Sequence, residues 1–323
     1  MHSFKELLAQ FEERFKEEMF PAEPATLYEA ARYILQLGGK RIRPVLCLMG
    51  NELFGALEES AFHVAAAIEL FHNFTLIHDD IMDKAPLRRG KPTVHTRYNG
   101  STALLAGDTM LVYAYEFLKR VRPGSLSRIM GVFNKAAIEV CEGQQLDMDF
   151  EQVPLSDMQM EAYLHMITLK TSVLLAASLQ MGGVLGGGSE GNLDHLYQFG
   201  KNLGIAFQIQ DDLLDAFGDP EKFGKQPGGD ILVNKKTFLL LKAYELSDDP
   251  KRQQLLSLMN ENPPDKVARV LKIFRDVRVD EWACEEKEKY ADKARHHLEE
   301  IAVLSSRKKP LEELAGQLLY REY

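Results

Sequence analysis

Apolar residues recur at helical spacing almost from one end of the chain to the other, and strand-like alternation is nearly absent. Phe4, Leu7, Leu8, Phe11 and Phe15 form one stripe of a first helix. A second helix over about Ala25–Leu37 stops at Gly38-Gly39, and Pro44 suits the first turn of a third that runs to about Phe54. The longest apolar run, Ala61–Ile77, is interrupted by His63, Glu69, His72 and Asn73, so it predicts a buried core helix rather than a membrane span. Further helices are expected near Ser101–Arg120, Leu126–Glu151, Ser156–Leu185 and Asn192–Phe217, with GGGSEG (186–191) as a short break. Another is expected to open near Asn234, and four more follow from Pro250 around Pro263-Pro264 and Pro310. With no long linker, low-complexity tract or solenoid period, the sequence predicts one all-α domain over residues 1–323.

Two of these helices end in acid. The first, from about Glu59 to Lys84, delivers Asp79, Asp80 and Asp83; the second delivers Asp211, Asp212 and Asp215 at the same i, i+1, i+4 spacing. Residues four apart share a helix face, where like charges repel. A helix C-terminus carries partial negative charge of its own, so carboxylates there are misplaced unless a cation is supplied. Magnesium is commonly held by one or two carboxylates together with waters and substrate phosphates. One such cluster is readily a solvated helix end. Two at equivalent ends of apolar helices point instead to metal clamped on a diphosphate.

A diphosphate also needs cationic donors, and bases gather beside the acids. Lys40, Arg41 and Arg43 follow the glycine pair, Arg88 and Arg89 follow the first acids, and Lys225, Lys235 and Lys236 follow the second. Arginine suits bidentate phosphate contacts and lysine supplies a point charge. The net charge of −9 argues against nucleic acid or an anionic membrane as principal partner, but leaves room for a local basic pocket. Three widely separated cysteines, Cys47, Cys141 and Cys284, form neither a disulfide framework nor a zinc spacing. The N-terminal MHSFKELLAQFEERFKEE is an amphipathic charged helix rather than a signal peptide, and a cytoplasmic location is expected.

GGKRIRP, HNFTLIHDDIMDKAPLRRGKPTVH, LKTS and FQIQDDLLD…GK…NKKT occur in this order. Together they resemble the trans-prenyltransferases, the head-to-tail isoprenyl diphosphate synthases, over roughly Tyr28 to Leu241. The resemblance implies an isoprenoid synthase-type bundle of mostly antiparallel helices around a central cavity, usually a homodimer. It implies that Asp79, Asp80, Asp83, Asp211, Asp212 and Asp215 hold three Mg²⁺ on an allylic diphosphate. Lys40, Arg43, His72 and Arg89 match positions that bind isopentenyl diphosphate. Arg88, Lys170, Lys225 and Lys235 match contacts to the allylic diphosphate, and Thr171 and Gln208 match residues lining the reacting carbon. A histidine on a buried helix is more often a satisfied core residue, so it is the motif that assigns His72. Gln144 and Asp147 face the cavity in relatives, although a helix-stabilising role fits them equally.

Product length in this family is gauged just before the first acidic motif. Phe74 lies about 7.5 Å and Phe71 about 12 Å along the helix axis from Asp79. An aromatic at Phe74, with Thr75 beside it, suits a floor for the growing tail, and DDIMD lacks the two-residue insertion of many bacterial farnesyl-type enzymes. Geranylgeranyl diphosphate (C20) is therefore the expected product, with farnesyl diphosphate (C15) next. A class I terpene cyclase would be expected to carry a mixed second metal motif and to lack GGKRIRP. A non-catalytic subunit of the same fold would be expected to have lost acids or bases.

Overall fold

Helix starts are written into the chain by short polar side chains. In the computed structural model, which describes residues 1–16, 20–218 and 228–320, α1 (Phe4–Arg14) opens on a reciprocal capping box between Ser3 and Glu6. The Asn99 side chain accepts from Thr102 N at 2.8 Å to start a helix at Gly100. Thr237 and Asp248 do the same for helices at Phe238 and Asp249. The elements that follow α1 are α2 (Ala25–Gln36), α3 (Ile42–Phe54), α4 (Glu59–Met82), β1 (Leu87–Arg88), β2 (Lys91–Pro92) and α5 (Val94–Arg97). Next come α6 (Gly100–Leu118), α7 (Pro123–Gln152), a 3₁₀ turn (Leu155–Asp157) and α8 (Met160–Ile167). A π-helical turn (Thr168–Ser172) then leads into α9 (Val173–Leu185), α10 (Glu190–Phe217) and α11 (Gly229–Leu232). The chain closes with α12 (Phe238–Leu246), α13 (Asp249–Glu261), α14 (Lys266–Asp276), α15 (Val279–Glu300) and α16 (Ser305–Leu319).

The chain divides into two compact units. The first comprises Met1–Ala137, Ala177–Tyr197 and Ile301–Leu311. Its centre is α4, packed most extensively against α6 and then α3. Alanines, Val64, Ile68, Leu70 and Phe71 are buried along α4, together with the polar Glu69, Asn73 and Asp80. The second unit comprises Ile138–Ala176, Gln198–Glu300 and Glu312–Tyr323. Its core gathers Tyr163, Ile205, Ile209, Phe238, Leu255, Val270 and Phe274, with Trp282 stacked on Phe238 at 4.7 Å.

The all-α expectation holds, with four local departures. Among the described residues the strands form one two-stranded antiparallel ladder, Leu87 opposite Pro92 and Arg88 opposite Lys91. Its tip is Arg89-Gly90, both at positive φ (53° and 73°), as a primed two-residue hairpin requires. The expected continuous helix over 156–185 is broken by the π turn. Asn234 is a left-handed turn residue (φ 60°) and the next helix opens three residues beyond it, at its Thr237 cap. Pro310 lies inside α16 rather than at a break; this near the start of a helix, a missing N–H removes a single bond. The helical stretch Met160–Leu185 is long and apolar enough to cross a membrane by length and composition, but 61% of its apolar window is buried, as in a core element.

Candidate active site

In the first unit, the acids at the end of α4 do not share one environment. Asp80 is buried (2% exposed), whereas Asp79 is half-buried and Asp83 exposed at the C-cap. Arg88 Nε and Nη2 each donate to one Asp80 oxygen at 2.8 Å. The turn that ends α4, with Lys84 left-handed at φ 49° and the Ala85 N–H donating to the Asp80 carbonyl at 3.0 Å, leads into β1 so that Arg88 meets the helix the chain has just left. Asp80 is thus held bidentate by the protein itself, and Arg88 by Asp80.

The basic loop before α3 is anchored by a second buried carboxylate. Arg41, left-handed at φ 49°, forms the N-cap residue of α3 and donates to the Leu35 carbonyl at 2.8 Å. Its guanidinium also pairs with Glu69, which is 3% exposed and accepts from Asn73 Nδ2 at 2.8 Å. Arg43 Nη1 donates to His72 Nε2 at 3.3 Å. Burial, and after it Arg43, Arg89, Arg88 and Arg41, hold the His72 imidazole well below its usual pKa. A neutral imidazole acting as acceptor positions Arg43 and adds no charge of its own. Arginines dispersed in sequence thus act electrostatically on one imidazole, with Arg43 the one in hydrogen-bond contact with it. Lys40 lies exposed in the same loop. Burial and the nearby Arg88 and Arg41 lower the Arg89 pKa as well.

Just N-terminal to these acids, Phe71 is 1% exposed and Phe74 half-buried, with their rings 5.6 Å apart. Thr75 Oγ1 donates to the His72 carbonyl at 2.8 Å.

In the second unit the same division recurs on α10. Asp212 is 3% exposed and accepts from Gln208 Nε2 (2.9 Å), Tyr163 Oη (3.2 Å) and the Phe238 N–H (3.2 Å). Burial raises its pKa to about 6, with Asp230 adding and Gln208, Lys235 and the Phe238 N–H opposing. Asp211 and Asp215 are half-buried. The Asp215 carboxylate accepts from the Asp230 N–H at 3.1 Å and its carbonyl from the Gly228 N–H at 2.6 Å. Segment 228–238 is therefore tied to the acidic end of α10 at both of its ends.

Two neighbouring lysines on that segment part company. Lys235 Nζ is 3.8 Å from Asp230 Oδ1. Lys236 instead donates to the carbonyls of Phe150 (2.5 Å), Glu151 (3.0 Å) and Val153, closing the C-terminus of α7. Lys170 and Thr171 lie in the π turn, where Lys170 Nζ donates to Asp147 Oδ2 at 2.5 Å. The backbone approach there is close enough to need glycine, since a Cβ at Gly143 would lie 2.3 Å from Lys170 N. Such turns concentrate at functional sites. Lys225 lies outside the described residues.

Among the described residues no three His, Cys, Asp or Glu side chains form a ready-made metal cage. The donor chemistry still fits magnesium. Each motif offers an i, i+4 pair of hard carboxylates, Asp79 with Asp83 and Asp211 with Asp215, while the central Asp80 and Asp212 also accept hydrogen bonds from the protein. A cation that keeps waters and takes its remaining ligands from a phosphate suits such a sparse protein contribution.

The polyprenyl synthetase family model matches residues 24–277. A short chain isoprenyl diphosphate synthase of Methanothermobacter thermautotrophicus is 37% identical over 315 residues, 97% of this chain and 95% of that protein. Among solved structures, a geranylgeranyl pyrophosphate synthase superposes with a TM-score of 0.94 at 43% identity, covering 100% of both chains. A polyprenyl synthase from Caulobacter crescentus CB15, complexed with calcium and isoprenyl diphosphate, superposes with a TM-score of 0.88 at 28% identity, over 99% of this chain and 96% of that one.

Proposed function

This chain belongs to the polyprenyl synthetase family and is a short-chain isoprenyl diphosphate synthase, and we propose that it joins isopentenyl diphosphate head-to-tail to allylic diphosphates to give geranylgeranyl diphosphate (C20), with farnesyl diphosphate (C15) the nearest alternative. The observation that carries the reading is the clustering of Arg41, Arg43, Arg88 and Arg89 around His72 beside one acidic motif. Such a basic pocket is what a second, isopentenyl substrate needs. The solved relative of 43% identity, a geranylgeranyl pyrophosphate synthase, and the aromatic Phe74 five residues before Asp79 support the C20 product.

Enzymes of this family use divalent metal ions. We assign magnesium, three ions per site, to Asp79, Asp83, Asp211 and Asp215, with Asp80 and Asp212 fixing the helix ends that carry them. When bound, the metal supplies Lewis acidity that offsets charge building on the departing diphosphate. Lys40, Arg43 and Arg89 bind the diphosphate of isopentenyl diphosphate, and neutral His72 orients Arg43. Lys170, Lys225 and Lys235 contact the allylic diphosphate, joined by Arg88 from its place on Asp80. Thr171 offers a hydroxyl oxygen to the allylic cation. Gln208 has committed its amide N–H to Asp212, so its carbonyl oxygen is the end that serves the cation. Phe71, Phe74 and Thr75 bound the tail, and apolar walls keep water from the cation.

The catalytic unit in this reading is the whole chain, residues 1–323, acting as a homodimer in the cytoplasm. Leu104 (49% exposed), Leu105 (57%), Val112 (61%) and Tyr115 (37%) stand open to solvent on α6, whose other side buries Ala103, Ala106, Met110 and Ala114, and they support an isologous contact. The free thiols Cys47, Cys141 and Cys284 suit a reducing compartment.

The test is incubation with Mg²⁺, isopentenyl diphosphate and, separately, the C5, C10 and C15 allylic diphosphates, with mass analysis of the products. Accumulation of the C20 diphosphate from each primer is expected. Accumulation that stops at C15 replaces the product assignment, and no elongated product from any primer overturns the function.

A further inference from the structure

The ring that would stop the growing chain is itself held in place. Phe74 is flanked along α4 by Phe71 on one side and His78 on the other. Phe71 is 1% exposed and locked edge-on against Phe133 of α7, with centroids 5.4 Å apart at 72°. Phe133 is equally buried and rests on Tyr115 of α6 at 5.5 Å. That flank cannot give way without disturbing the core. On the other flank, one turn nearer the acids, the His78 ring stands edge-on to Phe74 at 4.7 Å and 66°.

His78 occupies a slot cut into α6. Its Nε2 lies 3.2 Å from the Leu104 carbonyl oxygen, so Nε2–H donates and fixes the tautomer. One turn on, Gly107 leaves open the space the ring fills: a Cβ there would lie 2.4 Å from His78 Nε2 and 2.6 Å from Cδ2. Asp108 Oδ1, at 3.8 Å, is outside hydrogen-bond range and largely exposed, so the seat depends on the carbonyl and the missing side chain. A carbonyl, a glycine notch and a ring of fixed tautomer make a stiff support, and Phe74 leans on it.

We infer that His78, seated on Gly107, is a specificity-determining residue of the condensation, holding Phe74 in the orientation at which chain growth stops. The inference rests on the reading of Phe74 as the floor for the tail. His78 makes no contact with substrate in this role and acts as a positioning residue through Phe74. Removing the ring frees Phe74 to swing into the vacated slot against α6, so that it no longer closes the tail space at its wild-type depth. Gly107→Ala acts on the same seat from the opposite side by expelling the ring.

The experiment compares product length at matched total isopentenyl incorporation for wild type, His78→Ala, Gly107→Ala, Phe74→Ala and the His78→Ala/Phe74→Ala double variant. The expected result is a shift of at least one isoprene unit in each single variant. The double variant is expected to give products no longer than Phe74→Ala alone, because His78 acts only through Phe74. Wild-type product length in both His78→Ala and Gly107→Ala, beside lengthening in Phe74→Ala, overturns the inference and leaves the floor intact. Additive lengthening in the double variant also overturns it, since His78 would then act without Phe74. No lengthening in Phe74→Ala removes the floor reading and this inference with it. Products are scored as a ratio of lengths, which a general loss of stability or turnover does not move.

Discussion

Replacing Glu69 by alanine removes the counter-ion of a guanidinium that has little access to water. The Arg41 side chain is 10% exposed and that of Glu69 4%, so solvent offers Arg41 scant compensation once its partner is gone. Breaking a buried pair from one side costs about 3–5 kcal/mol, against a typical total of about 5–15 kcal/mol. Asn73 loses one acceptor but keeps its 2.8 Å bond to the Glu69 main-chain carbonyl, so nearly all of the loss belongs to the ion pair. Arg41→Ala/Glu69→Ala leaves no buried charge behind, and a coupling of about 0.5–3 kcal/mol between the two sites should appear. Urea unfolding at constant m measures the stability term. Because Arg41 fixes the loop that carries Lys40 and Arg43, the Michaelis constant for isopentenyl diphosphate should rise in Glu69→Ala, with that for the allylic substrate little changed. A loss under about 1 kcal/mol, or strict additivity in the double variant, would show that the pair behaves as a surface salt bridge and refute the argument.

Asp79→Ala and Asp211→Ala should each abolish turnover while the far-ultraviolet helical signal persists; activity retained in either would contradict the metal assignment. Lys235→Met and Lys236→Met, one residue apart, should fail differently. The first raises the Michaelis constant for the allylic diphosphate, and the second lowers the unfolding free energy by about 1–3 kcal/mol, read from the urea midpoint at constant m, as the last carbonyls of α7 lose their donor. His72 gives a pH signature: unfolded, its imidazole protonates near 6.5, and folded it does so only at lower pH. The unfolded chain therefore binds more protons between those values, so stability is full above about 6.5 and falls as the pH drops toward the folded value. His72→Gln should flatten that part of a urea-midpoint profile, and an unchanged slope would mean that the folded imidazole is not held neutral.

Helix positions and the two acidic helix ends were legible because each rests on local pattern: apolar spacing, a polar cap, or a glycine stop. Three features were not. The π turn around Lys170 depends on how closely another backbone can approach, and its one sequence trace is a glycine, Gly143, lying 27 positions upstream. The hairpin has a recognisable tip in Arg89-Gly90, but its strands are two residues long, too short for alternation to register. The differing roles of Lys235 and Lys236 could not be read from composition at all, since both are lysines beside the same motif. What separates them is that three carbonyls at the end of α7 reach only one of the two. His72 lay between these extremes, since the motif pointed to it while its function as a neutral acceptor emerged from the four surrounding guanidiniums.

The central aspartates carry a consequence for how this lineage can decay. Asp80 is forked to Arg88, and Asp212 takes three protein donors, from Gln208, Tyr163 and the Phe238 N–H at the head of α12, so drift at either position is opposed by folding alone. Asp79, Asp83, Asp211 and Asp215 are retained, in this reading, for chemistry. A descendant relieved of catalysis but still required to fold would let those flanking acids go and keep the two in the middle. A chain reading D at positions 80 and 212 with neutral letters around them is thus the expected fossil of this enzyme, distinguishable from one that has simply lost its fold.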